Sequence, residues 1–164
     1  MPDSSNIQTI LATDCGSTTT PRGEDFSPDQ HTIEKMVRSA SEMLARSGDG
    51  DNHTVVASLY ADDGAIYSGM NLYHFTGGPC AEIVALARLA SDGGGAKPLA
   101  IVAVADRERG VIAPCGRCRQ ILTDYCPEIQ VVLKTEHGIR AMLLTAILPY
   151  SYVRADRPGI TRIV

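Results

Sequence analysis

The chain has 164 residues, 44% of them apolar and 21% charged, and its fifteen lysines and arginines stand against nineteen aspartates and glutamates for a net charge of −4. That length suits one domain with a real core, and the excess of acid excludes the basic field that binding a nucleic-acid backbone or an anionic membrane surface requires. No apolar run approaches the about 20 residues that span a bilayer, and the opening "MPDSSNIQTI" lacks the charged and apolar regions of a secretory signal, so the expected compartment is the cytoplasm.

Residues 1–24 are rich in Ser, Thr, Asp, Gly and Pro, and "STTTPRGED" has no apolar period, so a flexible tail is expected there and a folded domain over 25–164. "HTIEKMVRSASEMLARS" then sets Ile33, Met36, Val37, Ala40, Met43 and Leu44 at helical spacing, and "GDGDN" ends it. Two β-rich runs around Asp63-Gly64 read as a hairpin. "PCAEIVALARLAS" is a helix with Pro79 beside its first turn, stopped by "DGGG". "PLAIVAVAD" and "IQVVLKT" are continuous apolar runs typical of strands buried on both faces, with the helical "CGRCRQILTDYC" between them. A short strand around 139–144 and a short helix or turn follow. Strand and helix alternate, which predicts an α/β layered domain with parallel strands at its centre after an antiparallel opening hairpin.

Five cysteines, an odd count in a reducing compartment, argue for metal or catalytic thiols and against a disulfide framework. Cys80 opens one predicted helix; Cys115 and Cys118 open the next, just past a buried strand. All three can meet at one sheet edge. The partial positive charge of helix N-termini is expected to lower the pKa of such thiols and favour the thiolate that a metal needs. Three protein ligands with water in the fourth position make a catalytic zinc site, and four make a closed structural one. Candidates for a fourth are His74, Cys126 and Cys15, although Cys126 lies about two turns along its helix from Cys118. A third possibility is a dithiol redox pair, since "CGRC" after a strand and opening a helix has that topology.

Glu82 weighs against both rivals. Two positions after Cys80, its carboxylate can reach a zinc-bound water without ligating the metal, the position of a general acid/base. Cys-Ala-Glu with a later Pro-Cys-x-x-Cys is the three-cysteine form of the zinc deaminase signature.

With "NLYHFTGGPCAEIVALARLA", "RGVIAPCGRCRQIL" and "LPYSYV", the chain resembles the cytidine deaminase family, and within it the blasticidin S deaminase branch, from Thr54 to Val153. The resemblance implies a three-layer α/β/α sandwich around a mixed five-stranded sheet, assembled as a homotetramer. It implies hydrolysis of the exocyclic amine of a small-molecule cytosine nucleoside to the uracil form plus ammonia. It further implies one Zn2+ per chain held by Cys80, Cys115 and Cys118, with water or hydroxide as fourth ligand, and Glu82 as proton shuttle. Thr54 and Arg109 fall where the blasticidin S branch has polar substrate contacts. Asn71 matches an asparagine used on the sugar, and Ala81 joins the substrate set. Two positions depart from the pattern: Tyr73 stands where cytidine deaminases carry a ribose-holding glutamate, and Arg154 where the blasticidin S branch has a tryptophan near its substrate.

Three thiolates leave a zinc centre formally anionic and a weaker Lewis acid than a histidine site. Two helix N-termini offset this, and Arg117 and Arg119, flanking the ligands, are expected to donate to sulfur.

Overall fold

The structure is a computed structural model that describes residues 26–153. The expected tail over 1–24, Cys15 and Arg154 lie outside the described residues.

Helix α1 (Gln30–Ser47) starts where Asp29 accepts the Thr32 N–H at 2.7 Å, and it buries Ile33, Met36 and Ala40. That is the apolar stripe the 3.6-residue period predicts, and the cap satisfies one of the four free N–H groups of a helix start. Strands β1 (Val55–Ala61) and β2 (Ile66–Met70) form the antiparallel hairpin around Asp63-Gly64, pairing Ser58 with Ser68. Helix α2 (Ala81–Asp92) leads to β3 (Pro98–Ala105), buried at seven of its eight positions. The short β4 (Gly110–Ile112) precedes α3 (Gly116–Tyr125), and β5 (Gln130–Thr135), β6 (Gly138–Leu143) and a final turn of helix, α4 (Leu144–Ile147), complete the described chain.

The strands run in the order β2-β1-β3-β5-β6, and β4 pairs with β3 off that path. Among the described residues only β3 and β5 pair in parallel; the other pairs are antiparallel. The expected five-stranded mixed sheet is therefore present, with β4 as a sixth, unforeseen strand. Three residues are too few to display a two-residue period, so β4 has no signal of its own; it exists because Val111 and Ile112 find β3 opposite Val104 and Ala103.

Side-chain alternation sorts the core into two layers. Val56, Ala100, Val102, Val104 and Val132 face α1, while Ala57, Leu59, Ile101, Ala103 and Val131 face α2 and α3. The result is the expected α/β/α sandwich, in which each fully buried Val, Leu or Ile contributes about 1.5–3 kcal/mol of transfer free energy. Close approach of α2 to β2 depends on Gly69, where a Cβ would stand 2.4 Å from the Ala85 nitrogen.

One feature of the pairing positions the site. On the same edge of β3, β5 pairs with residues 100–102 and β4 with residues 103–105. The sheet splits there: β5 leaves β3, and β4 takes its place. Such a split at the carboxyl end of a strand opens a crevice, and α3 begins four residues beyond β4.

Candidate active site

Cys80 and Cys115 are the residues immediately before the first turns of α2 and α3, both with extended backbone (φ −70°, ψ 157° and φ −68°, ψ 167°). Neither caps its helix with an oxygen, so each presents a sulfur beside free N–H groups. Cys118 lies on the first turn of α3 and is fully buried. The sulfurs converge as expected: Cys80 to Cys115 is 3.9 Å, Cys115 to Cys118 is 3.6 Å, and all three lie within 4.8 Å of one another.

These spacings fit zinc. With Zn–S bonds of about 2.3 Å, a tetrahedral centre separates its sulfurs by about 3.8 Å. The three sulfurs occupy one face of such a tetrahedron, and among the described residues no fourth His, Cys, Asp or Glu joins the group. This corrects both rivals for the fourth position that can be judged. His74 instead bonds Thr76 through Nδ1 at 2.6 Å on an exposed loop, and Cys126 is buried at the far end of α3, its thiol pushed up to about 12 by burial. Glu82, only 5% exposed on the first turn of α2, is also outside the ligand group. Its carboxylate is close enough for its charge to act on all three thiols.

The thiols do not behave uniformly, contrary to expectation. Burial raises Cys80 above the ordinary thiol range, opposed by a hydrogen bond with Cys118 and reinforced by Cys115 and Glu82. Burial, then the Glu82 charge, raises Cys118 far more. Only Cys115 falls below the ordinary range: burial pulls it upward, but hydrogen bonds from the Cys118 backbone and from the Cys118 and Cys80 thiols outweigh it. Desolvation and mutual crowding thus prevail at Cys80 and Cys118, while at Cys115 the backbone N–H of the helix start prevails. A dication held by the sulfurs would reverse that balance, because it would stabilise each thiolate directly.

The arginines also differ from expectation. Arg117 donates through Nη1 to the Gly78 carbonyl at 3.2 Å, and Arg119 donates to the carbonyls of Pro114 (3.0 Å) and Ile147 (2.9 Å). Among the hydrogen bonds of the described residues, neither guanidinium donates to sulfur. They brace instead the backbone just before Cys80 and just before Cys115. Gly78 is also the point where the loop folds back on itself: Leu72 donates its N–H to Pro79, and a Cβ on Gly78 would stand 1.7 Å from the Leu72 carbonyl oxygen.

The remaining expected residues gather at this same end of the sheet. Asn71 follows β2, and its Oδ1 takes the N–H groups of Thr54 and Val55, both at 2.8 Å, while its Nδ2 donates to Asn52. Its carboxamide therefore ties down the start of β1. The Thr54 carbonyl accepts the Asp106 N–H at 3.0 Å, joining β1 to the loop of Arg109. Tyr73 is 66% exposed and donates its N–H to the Asn52 carbonyl. Ala81 is fully buried between Cys80 and Glu82. Arg109 is paired with Asp106 at 2.7 Å, a partner the sequence reading missed; its signal was an aspartate three residues earlier at a strand end.

A second concavity, of about 610 Å³, lies along the flanks of α2 and α3 and is lined by Ile83, Leu86, Ala87, Ile121 and Tyr125 among others. It contains no ligand or acid/base group apart from the Tyr125 hydroxyl, so size does not make it the reaction site.

A family model for the cytidine and deoxycytidylate deaminase zinc-binding region matches residues 30–134, which include all three cysteines and Glu82. The chain belongs to that family. It is 28% identical to a blasticidin-S deaminase of Bacillus cereus over 139 residues, 79% of this chain and 97% of that protein. It is 37% identical to a cytidine deaminase of Sporosarcina psychrophila over 109 residues, 62% of this chain and 76% of that protein. Among solved structures, the cytidine deaminase of Mycobacterium tuberculosis superposes with a TM-score of 0.61 at 26% identity, covering 74% of this chain and 98% of that one. The membership weighs against a dithiol redox pair for "CGRC", and the three-sulfur cluster, which is able to hold a metal ion, lies within the family's zinc-binding region.

Proposed function

We propose that this deaminase hydrolyses the amine of blasticidin S or a related aminoacyl nucleoside, with Cys80, Cys115 and Cys118 holding zinc and Glu82 carrying protons. The observation that supports it most is the buried, non-ligating Glu82 beside a three-sulfur cluster that no fourth ligand residue joins among the described residues. Bound zinc supplies Lewis acidity toward a water molecule. Glu82 takes a proton from that water and delivers it to the cytosine ring nitrogen as oxygen bonds to the amine-bearing carbon. A second proton passes through Glu82 to the amine, the carbon–nitrogen bond breaks, and ammonia leaves. Burial of Glu82 keeps the transfer away from bulk solvent.

The substrate reading rests on Arg109 and Tyr73. Blasticidin S carries a carboxylate on its sugar ring and cytidine does not, so the Arg109 guanidinium can favour it through a charge-assisted hydrogen bond. A glutamate at position 73 would repel that carboxylate; a tyrosine does not. Asn71 and Thr54 frame the sugar end, and Ala81 lies against the ring. A second reading, plain cytidine or deoxycytidine deamination, is favoured by the higher identity to a cytidine deaminase. We propose a homotetramer, since Phe75, Tyr150 and Tyr152 are 86%, 95% and 72% exposed. The site of action is taken as the cytoplasm; among the described residues no helix is long and apolar enough to cross a membrane.

The decisive experiment is Glu82→Gln with zinc analysis and an ammonia assay. The variant should keep one zinc per chain and lose about 10²- to 10⁴-fold in kcat, the range of general acid–base catalysis. Loss of the metal would instead make Glu82 a ligand and overturn its role. A kcat/KM comparison of blasticidin S with cytidine separates the two substrate readings, and a strong preference for cytidine would exclude the first.

A further inference from the structure

Arg109 does not stand alone at the end of β3. Its Nη2 donates to Asp106 Oδ1 at 2.7 Å, its Nε to the Asp106 carbonyl at 3.3 Å, and its own N–H to the same carbonyl at 3.1 Å. One edge of the guanidinium fork is thereby occupied. The side chain of Arg109 remains 50% exposed while that of Asp106 is 15% exposed, so the arginine faces outward and the aspartate backs it. The second carboxylate oxygen, Oδ2, is buried with no hydrogen-bond partner.

The backbone holding this pair is strained. Arg107 and Glu108, the central residues of the turn closed by Arg109 and Asp106, have φ of 52° and 61°. A turn with positive φ at both central positions suits Asn-Gly or Gly-Gly; two residues with long side chains are disfavoured there. An under-satisfied buried carboxylate and a strained turn at one place are features that persist where the surrounding structure over-determines them, and they cluster at functional sites.

We propose that Asp106 is the specificity-determining partner of Arg109: it fixes the direction of the guanidinium and cancels much of its charge, so that Arg109 reads a substrate carboxylate through its remaining N–H groups and not as a free cation. This rests on the reading of Arg109 as the contact for the sugar carboxylate. Asp106 acts through Arg109 and is a positioning residue. A substrate carboxylate approaching the pair meets the arginine with an anion already beside it, which limits the preference for anionic over neutral nucleosides.

Asp106→Asn tests this, because it keeps an acceptor for Arg109 at nearly the same size and removes the negative charge. The ratio of kcat/KM for blasticidin S to that for cytidine should rise about three- to ten-fold, the scale of a partly exposed charge interaction, and the rise should shrink as salt is added. In an Arg109→Gln background the same substitution should leave the ratio unchanged, since the cycle isolates the coupling. Equal changes on both substrates, or a ratio that shifts as much without Arg109, would overturn the proposal. If Asp106→Asn does not fold, the unmodified protein provides the readout: kcat/KM should be higher for blasticidin S than for its methyl ester, in which the carboxylate is masked, and the ratio should respond little to salt, whereas no preference for the acid, or a ratio that falls steeply with salt, would overturn the claim. If the unmodified protein turns over cytidine but not blasticidin S, the substrate reading fails, independently of Asp106.

Discussion

Helices α2 and α3 carry two concavities that differ in every respect. At their N-terminal ends three sulfurs and a buried carboxylate meet where the sheet splits; along their flanks runs an apolar groove of about 610 Å³. The same two helices build both, yet only the ends can do chemistry. Helix ends expose N–H groups and partial charge, and the chain reaches them through loops that can bring sulfur and carboxylate together. Helix flanks offer side-chain bodies alone. Apolar lining points to one place in this protein, and convergence of ionisable groups to the other.

That contrast can be broken or sharpened by substitution at either place. The largest effect should come from Cys118→Ala: zinc falls below one per chain by metal analysis, and turnover falls further than the about 10²- to 10⁴-fold expected for Glu82→Gln, because the group that Glu82 serves is lost with it. A variant retaining full zinc and activity would show the cluster to be incidental.

Gly78→Ala should follow. Its Cβ would collide with the Leu72 carbonyl oxygen, so the loop before Cys80 must shift, and a displacement of about 1 Å at a reacting centre costs about 10²-fold. Measured kcat should drop while the folded fraction by circular dichroism stays high. A wild-type rate would mean that the loop does not position Cys80.

Arg117→Ala removes the brace on the Gly78 carbonyl. A loss of about 10- to 100-fold in zinc affinity or rate is expected, the scale for groups that orient metal ligands. Arg117→Lys should rescue only part of it, since an ammonium lacks the planar fork. Unchanged affinity and rate would place Arg117 on the surface without a role at the site.

The smallest effect belongs to the groove. Ala87→Ser, on an exposed position of its wall, should change kcat/KM by less than about two-fold and stability by no more than about 0.5 kcal/mol, as for ordinary surface changes. A large kinetic effect would mean that the groove takes part in the reaction after all.

Much of the architecture was legible in the residues because local rules and tertiary packing agree. The stripe of Ile33, Met36 and Ala40, the Asp63-Gly64 hairpin, the apolar run of β3 and the Cys-Ala-Glu and Pro-Cys-x-x-Cys spacings each state their structure within a few neighbours, and the cysteine cluster follows once α2 and α3 bring their first turns together. What tertiary structure alone decided depends on partners distant in sequence. Strand β4 exists only opposite β3. The upward shifts of the Cys80 and Cys118 thiols follow burial and mutual crowding, which no helix-end rule contains. Arg117 and Arg119 turn to carbonyls because the 78 and 114 peptides lie within reach of α3. Arg109 is partly neutralised because a turn with two positive φ angles folds it back on Asp106. Sequence spacing specifies which groups share a helix end, through the fixed 3.6-residue geometry; which donor meets which acceptor there is a matter of ångströms set by the whole packed core.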